Sequence, residues 1–268
     1  MPQTQAIDLK PAFQEPAKPE ILRRSHVLSA IPNIVHGFTG ITGGCSEGAF
    51  SSLNLSLRVG DERAAVLENQ RRAMHAVGKK SARLITVKQV HGNGLVQVTQ
   101  NAGKQIQADG LWTRDRKAAI AILTADCVPI LLADQSGTTV CAIHAGWRGT
   151  NLKIAKVAIE ALVEAGAELN ELCAAIGPSI GFEAFEIGAE VAVELRDSLG
   201  ESSMIEDRPD GKARADLQGL NRALLLEAGL DPSRVEVIRH CTQSQEGYFS
   251  YRRDQGKTGR QGAMIALA

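Results

Sequence analysis

The chain has 268 residues, with 30 Lys and Arg balanced by 30 Asp and Glu, and 44% of its residues hydrophobic. Zero formal charge argues against binding to duplex nucleic acid, which needs a surplus of cations facing phosphate. The length suits one α/β domain around a continuous core. The five cysteines, Cys45, Cys127, Cys141, Cys173 and Cys241, are odd in number and show no CxxC pair, so a disulfide framework is excluded and a reducing cytoplasm is expected.

From the N-terminus, residues 1–30 contain Pro2, Pro11, Pro16 and Pro19 and no apolar leader core. They read as a loose tail, ahead of a single catalytic domain over 31–268. Ile34 to Thr39 reads as a strand, followed by a Gly- and Ser-rich loop to Ser52. Glu62 to Val77 has helical spacing, with Asp61 as the expected N-cap. Two short β-type runs, Leu84 to Val90 and Leu95 to Val98, flank His-Gly-Asn-Gly, a turn signal that predicts a hairpin. The longest apolar stretch, Ala118 to Ala133, is broken by Thr124, Asp126 and Pro129, and reads as a pair of buried strands rather than a membrane span. Further strands are expected over 138–143, 172–176, 235–238 and 264–267, and helices over 152–165, 187–199 and 217–228. Strands and helices without strict βαβ alternation predict an α+β fold, or a mixed α/β sandwich.

Three segments carry chemistry: Val90-His91-Gly92, Thr124-Ala125-Asp126-Cys127 and Ile143-His144-Ala145-Gly146-Trp147-Arg148-Gly149. Each puts a metal-ligating residue at the end of an expected strand. The gaps between them are too long for a zinc finger but suit a catalytic ion, whose ligands gather from separate strand ends and leave one position open. Taken singly, each of the three is more often structural. Arg148, before a helix N-terminus, is a candidate phosphate ligand, or a surface loop residue. Of the remaining histidines, His26 is expected in solvent, His75 on a helix surface and His36 near the site. His240 and Cys241, adjacent in sequence, are read as structural because neighbouring strand residues face opposite ways. Arg252-Arg253 is expected to shape an entrance or hold the C-terminal segment.

The segments KQVHG, TADCVPILL, HAGWRGT, IGPSIG and CTQSQEGYFSYRRDQGKTGRQG resemble the bacterial laccase-domain family, first labelled multicopper polyphenol oxidoreductase. That family includes peptidoglycan-editing factors and members described as zinc-dependent purine nucleoside phosphorylases. The resemblance runs from about His36 to the C-terminus. It implies a layered α/β/β/α sandwich with mixed sheets, His91, Cys127 and His144 as metal ligands, and nucleoside and phosphate as substrates. It also implies phosphorolysis of adenosine, inosine, guanosine and methylthioadenosine, with adenosine deamination at the same ion. Gly43-Gly44, Ser46, Ser52 to Leu55 and Val59 to Asp61 resemble the family's N-terminal block, which makes Ser46 and Asn54 candidate substrate contacts. Asp126 and Gln89, beside ligands, are expected to position water or orient an imidazole. The family usually has Arg two residues before the Gly-Gly pair; here Ile41 stands there, leaving Arg58 and Arg148 as replacement cations.

The alternative reading is a hydrolase editing a misincorporated amino acid in a peptidoglycan precursor, through the same ion or through Cys127 as nucleophile. Zinc suits two imidazoles and a thiolate, and copper binds such ligands as well, but six histidines are too few for multicopper electron transfer. A metal-stabilised interaction domain would instead show a closed site and no pocket.

Overall fold

The computed structural model describes residues 22–80, 82–103, 106–200 and 203–268. Its strands are β1 (Leu22–Arg23), β2 (Ile34–Thr39), β3 (Arg83–Ile85), β4 (Leu95–Gln97), β5 (Gly110–Thr113), β6 (Ala118–Thr124), β7 (Val128–Asp134), β8 (Val140–Ala145), β9 (Leu172–Ile176), β10 (Glu186–Ile187), β11 (Ile205–Asp207), β12 (Ala213–Ala215), β13 (Val235–Val237) and β14 (Gln261–Leu267). The helices are α1 (His26–Ser29), α2 (Arg63–Val77), α3 (Trp147–Asn151), α4 (Ile154–Glu164), α5 (Ala189–Leu199) and α6 (Leu217–Glu227). A five-stranded sheet runs β1-β2-β14-β6-β3, a six-stranded sheet β13-β9-β7-β8-β5-β4, and a small one β10-β12-β11. Both large sheets mix parallel and antiparallel pairs.

Alternation along the central strands explains the layering. On β6, Ile120 and Ile122 face the second sheet, while Ala119 and Ala121 meet Ala73, Met74 and Val77 of α2. On β7, Leu131 and Ala133 face the first sheet, while Ile130 and Leu132 meet α4 and α6. Strands with period-two side chains that bury both faces read as unbroken apolar runs. Two apolar sheets covered outside by helices give the α/β/β/α sandwich and mixed fold class expected from the sequence.

Three expectations are corrected. The run from Ala118 to Ala133 is two buried strands, but they belong to different sheets; the chain crosses from one sheet to the other at Thr124–Cys127. The predicted hairpin around His91 is likewise a crossing, from β3 in the first sheet to β4 in the second. Turn chemistry specifies a reversal but not which sheet the next strand joins. Asp61 does not cap α2, whose N-cap is Glu62. Its carboxylate instead accepts from Ser46 Oγ and Asn54 Nδ2.

Residues 22–30, expected to be part of a loose tail, are packed on the domain. Residues 1–21 lie outside the described part, but β1 pairs with β2 and α1 packs on the second sheet's β9 and β13. Ser25 caps α1 and donates to Glu236. His36 is buried on β2, where its Nε2 accepts from the Ser25 backbone N–H at 2.9 Å; it anchors this segment and does not line the site cavity. No helix among the described residues is long and apolar enough to cross a membrane.

Burial first, and Arg24 second, hold His36 down to about 4, against an opposing pull from Glu236. An unfolded His titrates near 6.5. The neutral ring's contribution is therefore present above pH 6.5 and lost as pH falls toward 4. Denaturant unfolding at stepped pH should show about 3 kcal/mol of stability lost over this window beyond that lost by His36→Gln. Parallel curves for the two proteins would contradict the assignment.

Candidate metal centre and its cavity

Both sheet crossings meet at one edge of the sandwich. His91 lies on the crossing between β3 and β4, Cys127 on that between β6 and β7, and His144 near the end of β8. Their ligand atoms lie within 4.8 Å of one another. The two rings stand edge to face, 4.8 Å between centroids and 79° apart. Among the described residues this is the one cluster of three or more His, Cys, Asp or Glu side chains that could hold an ion.

Local backbone is bent to achieve this. His91 and Asp126 occupy the left-handed region, at φ 60° and 89°, which costs non-glycine residues of order 1 kcal/mol each and persists where surrounding bonds enforce it. Those bonds are visible. Asp109, fully buried just before β5, accepts from the backbone N–H groups of Val90 (3.2 Å), His91 (3.0 Å) and Gly92 (2.7 Å). Its Oδ1 also pairs with His144 Nδ1 at 2.8 Å. One carboxylate thus fixes the His91 turn and the His144 ring together, with His144 Nε2 as the candidate ligand atom. At Asp126 the carboxylate accepts from Thr242 Oγ1, Ser250 Oγ and the Arg252 N–H, and its carbonyl accepts from Ile180.

The cluster fits a metal ion in shape and in charge. A Cβ built on Gly146 would lie 3.0 Å from His91 Nδ1 and 3.2 Å from Cys127 Sγ, so any other residue there would press on both donors. Burial would lower His144, but the negative charge of Cys127 and the bond to Asp109 outweigh it and raise the ring to about 9. Burial would raise Asp109, but bonds from His144 and Gly92 hold it low. His91 is lowered by partial desolvation and by the charge of His144. An ion bound here would compete with protons for the same donor atoms.

The donors open on a cavity of about 580 Å³, unlike the closed site of a purely structural ion. Of the residues expected here, His91, Cys127, His144, Gln89, Asp126 and Arg58 line it. Others stand elsewhere or do other work. Arg148 is exposed over the Trp147 ring at 4.6 Å and is not part of the lining; α3, in which it is the second residue, is five residues long, too short for much of a dipole. Ser46 and Asn54 are buried in a network with Asp61 and Asn69 that holds the 40–61 loop, and neither lines the cavity. Gln89 bonds both backbone groups of Leu123, and Asp126 ties down the C-terminal segment. Neither orients an imidazole; Asp109 does. Arg253 helps hold that same segment, donating to Thr242 O and Tyr248 O. Sequence reasoning missed Asp109 and Arg260. The one signal for Asp109 was a lone acid in Ala108-Asp109-Gly110 opening an apolar strand.

The family model described as multi-copper polyphenol oxidoreductase laccase matches residues 35–268. The chain belongs to this laccase family. A Deinococcus radiodurans family relative named purine nucleoside phosphorylase is 38% identical over 244 residues, covering 88% of this chain and 91% of its own. Purine nucleoside phosphorylase YlmD of Geobacillus stearothermophilus is 37% identical over 245 residues, covering 86% and 89%. The crystal structure of the Geobacillus stearothermophilus YlmD superposes with a TM-score of 0.84 at 32% identity, over 93% of this chain and 99% of that one.

Replacing Asp109 by Asn keeps the volume but removes the charge and one acceptor. Zinc affinity of the Asp109→Asn protein, measured by chelator competition, should fall about 10–100-fold with the fold retained. Unchanged affinity would show that Asp109 does not set the ligands.

Proposed function

We propose that this chain is a zinc-dependent purine nucleoside phosphorylase acting on adenosine, inosine, guanosine and methylthioadenosine, and that it also deaminates adenosine. The observation that carries the reading is the opening of a His-Cys-His donor set onto a nucleoside-sized cavity, since catalytic ions keep a position open and small-molecule sites enclose a few hundred Å³. The names of the family relatives support the reaction class. Two imidazoles and a thiolate suit zinc.

When bound at His91, Cys127 and His144, zinc supplies fixed positive charge that stabilises developing negative charge. The chain's own residues do the rest. Phe185 and Tyr251 on the lining offer aromatic faces to a purine. In phosphorolysis a phosphate oxygen forms a bond to C1′ of the ribose as the C1′–N9 bond breaks. The bonding pair leaves with the purine, which takes up a proton, giving free base and ribose 1-phosphate. In deamination water adds at C6 of adenine and ammonia leaves. The five cysteines are all unpaired, in keeping with action in a reducing cytoplasm.

Zinc-loaded full-length protein incubated with adenosine and phosphate should release adenine and ribose 1-phosphate, with inosine as the deamination product. Cys127→Ala should reduce both by about a hundredfold or more. Zinc bound at one equivalent without purine release would overturn the reading and favour amide hydrolysis of a cell-wall precursor.

A further inference from the structure

The chain as a whole is neutral, but its cavity is not. Arg58, Lys88, Arg252 and Arg260 line it against one carboxylate, Asp126. That carboxylate accepts hydrogen bonds from Thr242, Ser250 and the Arg252 N–H. Among the described residues none of the four cations forms an ion pair. A concave surface with an excess of one sign of charge focuses its field and concentrates counter-ions.

Within this group Arg260 is the most constrained. Its backbone N–H donates to Asn54 Oδ1 at 2.9 Å, and its carbonyl accepts from Leu55. Its Nη1 donates to the carbonyls of Thr258 and Gly259. Those contacts occupy one side of the guanidinium. Nε and Nη2, which form the edge suited to bidentate oxyanion binding, donate to nothing among the described residues. Asn54 Oδ1 also accepts from the Ser56 N–H, so one buried side chain sets both the Arg260 backbone and the loop leading to Arg58. Arg58 is steadied by a single bond from Nη1 to Val87 O.

We propose that Arg260, through its Nε/Nη2 edge and assisted by Arg58, is the phosphate-binding cradle of this cavity, and that Arg148 takes no part in it. The choice of inorganic phosphate as the natural occupant rests on the phosphorolysis reading; the cradle's chemistry requires only a phosphate group. The Arg missing at Ile41 leaves no gap in this cavity, because Ile41 lines a separate one with Tyr248 and Arg253.

The test is calorimetric titration of the zinc-loaded full chain with inorganic phosphate and, separately, with adenosine 5′-monophosphate at fixed ionic strength. Arg260→Gln should weaken phosphate binding at least tenfold, Arg58→Gln several-fold and Arg148→Gln less than twofold. Arg260→Lys should recover part of the loss. Unchanged zinc content and melting temperature exclude a folding defect. Phosphate binding that survives Arg260→Gln, or is lost in Arg148→Gln, would overturn the cradle. Absent adenine release with Arg260-dependent phosphate binding would leave the cradle standing and remove the phosphorylase reading. If only the nucleotide binds, and does so through Arg260, the cradle again stands, with a phosphate ester as its occupant.

Discussion

The buried carboxylate of Asp109 holds the site together. It sits at the start of β5, where pairing with β8 places it beside His144, and its oxygens reach across to the His91 turn. An ionised carboxylate without partners is costly to bury; here three backbone N–H groups and an imidazole satisfy it. The consequence is mechanical as well as electrostatic. The ring of one histidine and the backbone of the other are tied to the same group.

The sandwich supplies the frame for that carboxylate. Two sheets with apolar inner faces must be joined by chain crossings, and crossings are where backbone leaves regular pairing. The two that matter here, through His91 and through Cys127, emerge at the same edge and bring donors from both sheets to one point. Left-handed backbone at His91 and Asp126 and the bare Cα of Gly146 are the local cost of that convergence. The C-terminal segment closes the cavity from the other side: Asp126 binds Thr242, Ser250 and Arg252, and Arg260 leads into β14 between the Leu55 loop and β6. Residues far apart in sequence therefore share the cavity wall, which joins a His-Cys-His group that could hold an ion to cationic side chains.

Much of this was legible beforehand. The apolar runs at β6, β7, β8 and β9 and the helical spacing of α2, α4, α5 and α6 follow from periodicity that burial enforces. His91, Cys127 and His144 stood out because each lies at an expected strand end in a short segment that also carries Gly or Asp. Sheet membership was not legible: the turn at His91 looks the same whether the next strand returns to its own sheet or joins another. Nor was the true orienting carboxylate, since Asp126 and Gln89 adjoin ligands in sequence while Asp109 adjoins them only through strand pairing. Arg148 sits next to a ligand motif yet turns outward over Trp147, and Arg260 lies in a polar C-terminal run whose meaning depends on Asn54, two hundred residues away. Sequence neighbourhood is a poor guide wherever strand register decides the contact.

X-ray absorption at the zinc edge of the loaded protein, together with metal content, tests the central claim most directly. One zinc per chain, with one sulfur at about 2.3 Å, two imidazole nitrogens at about 2.0–2.1 Å and one further light atom, is the predicted result. A shell without sulfur, or one completed by a fourth protein ligand, would contradict a His-Cys-His centre open to substrate.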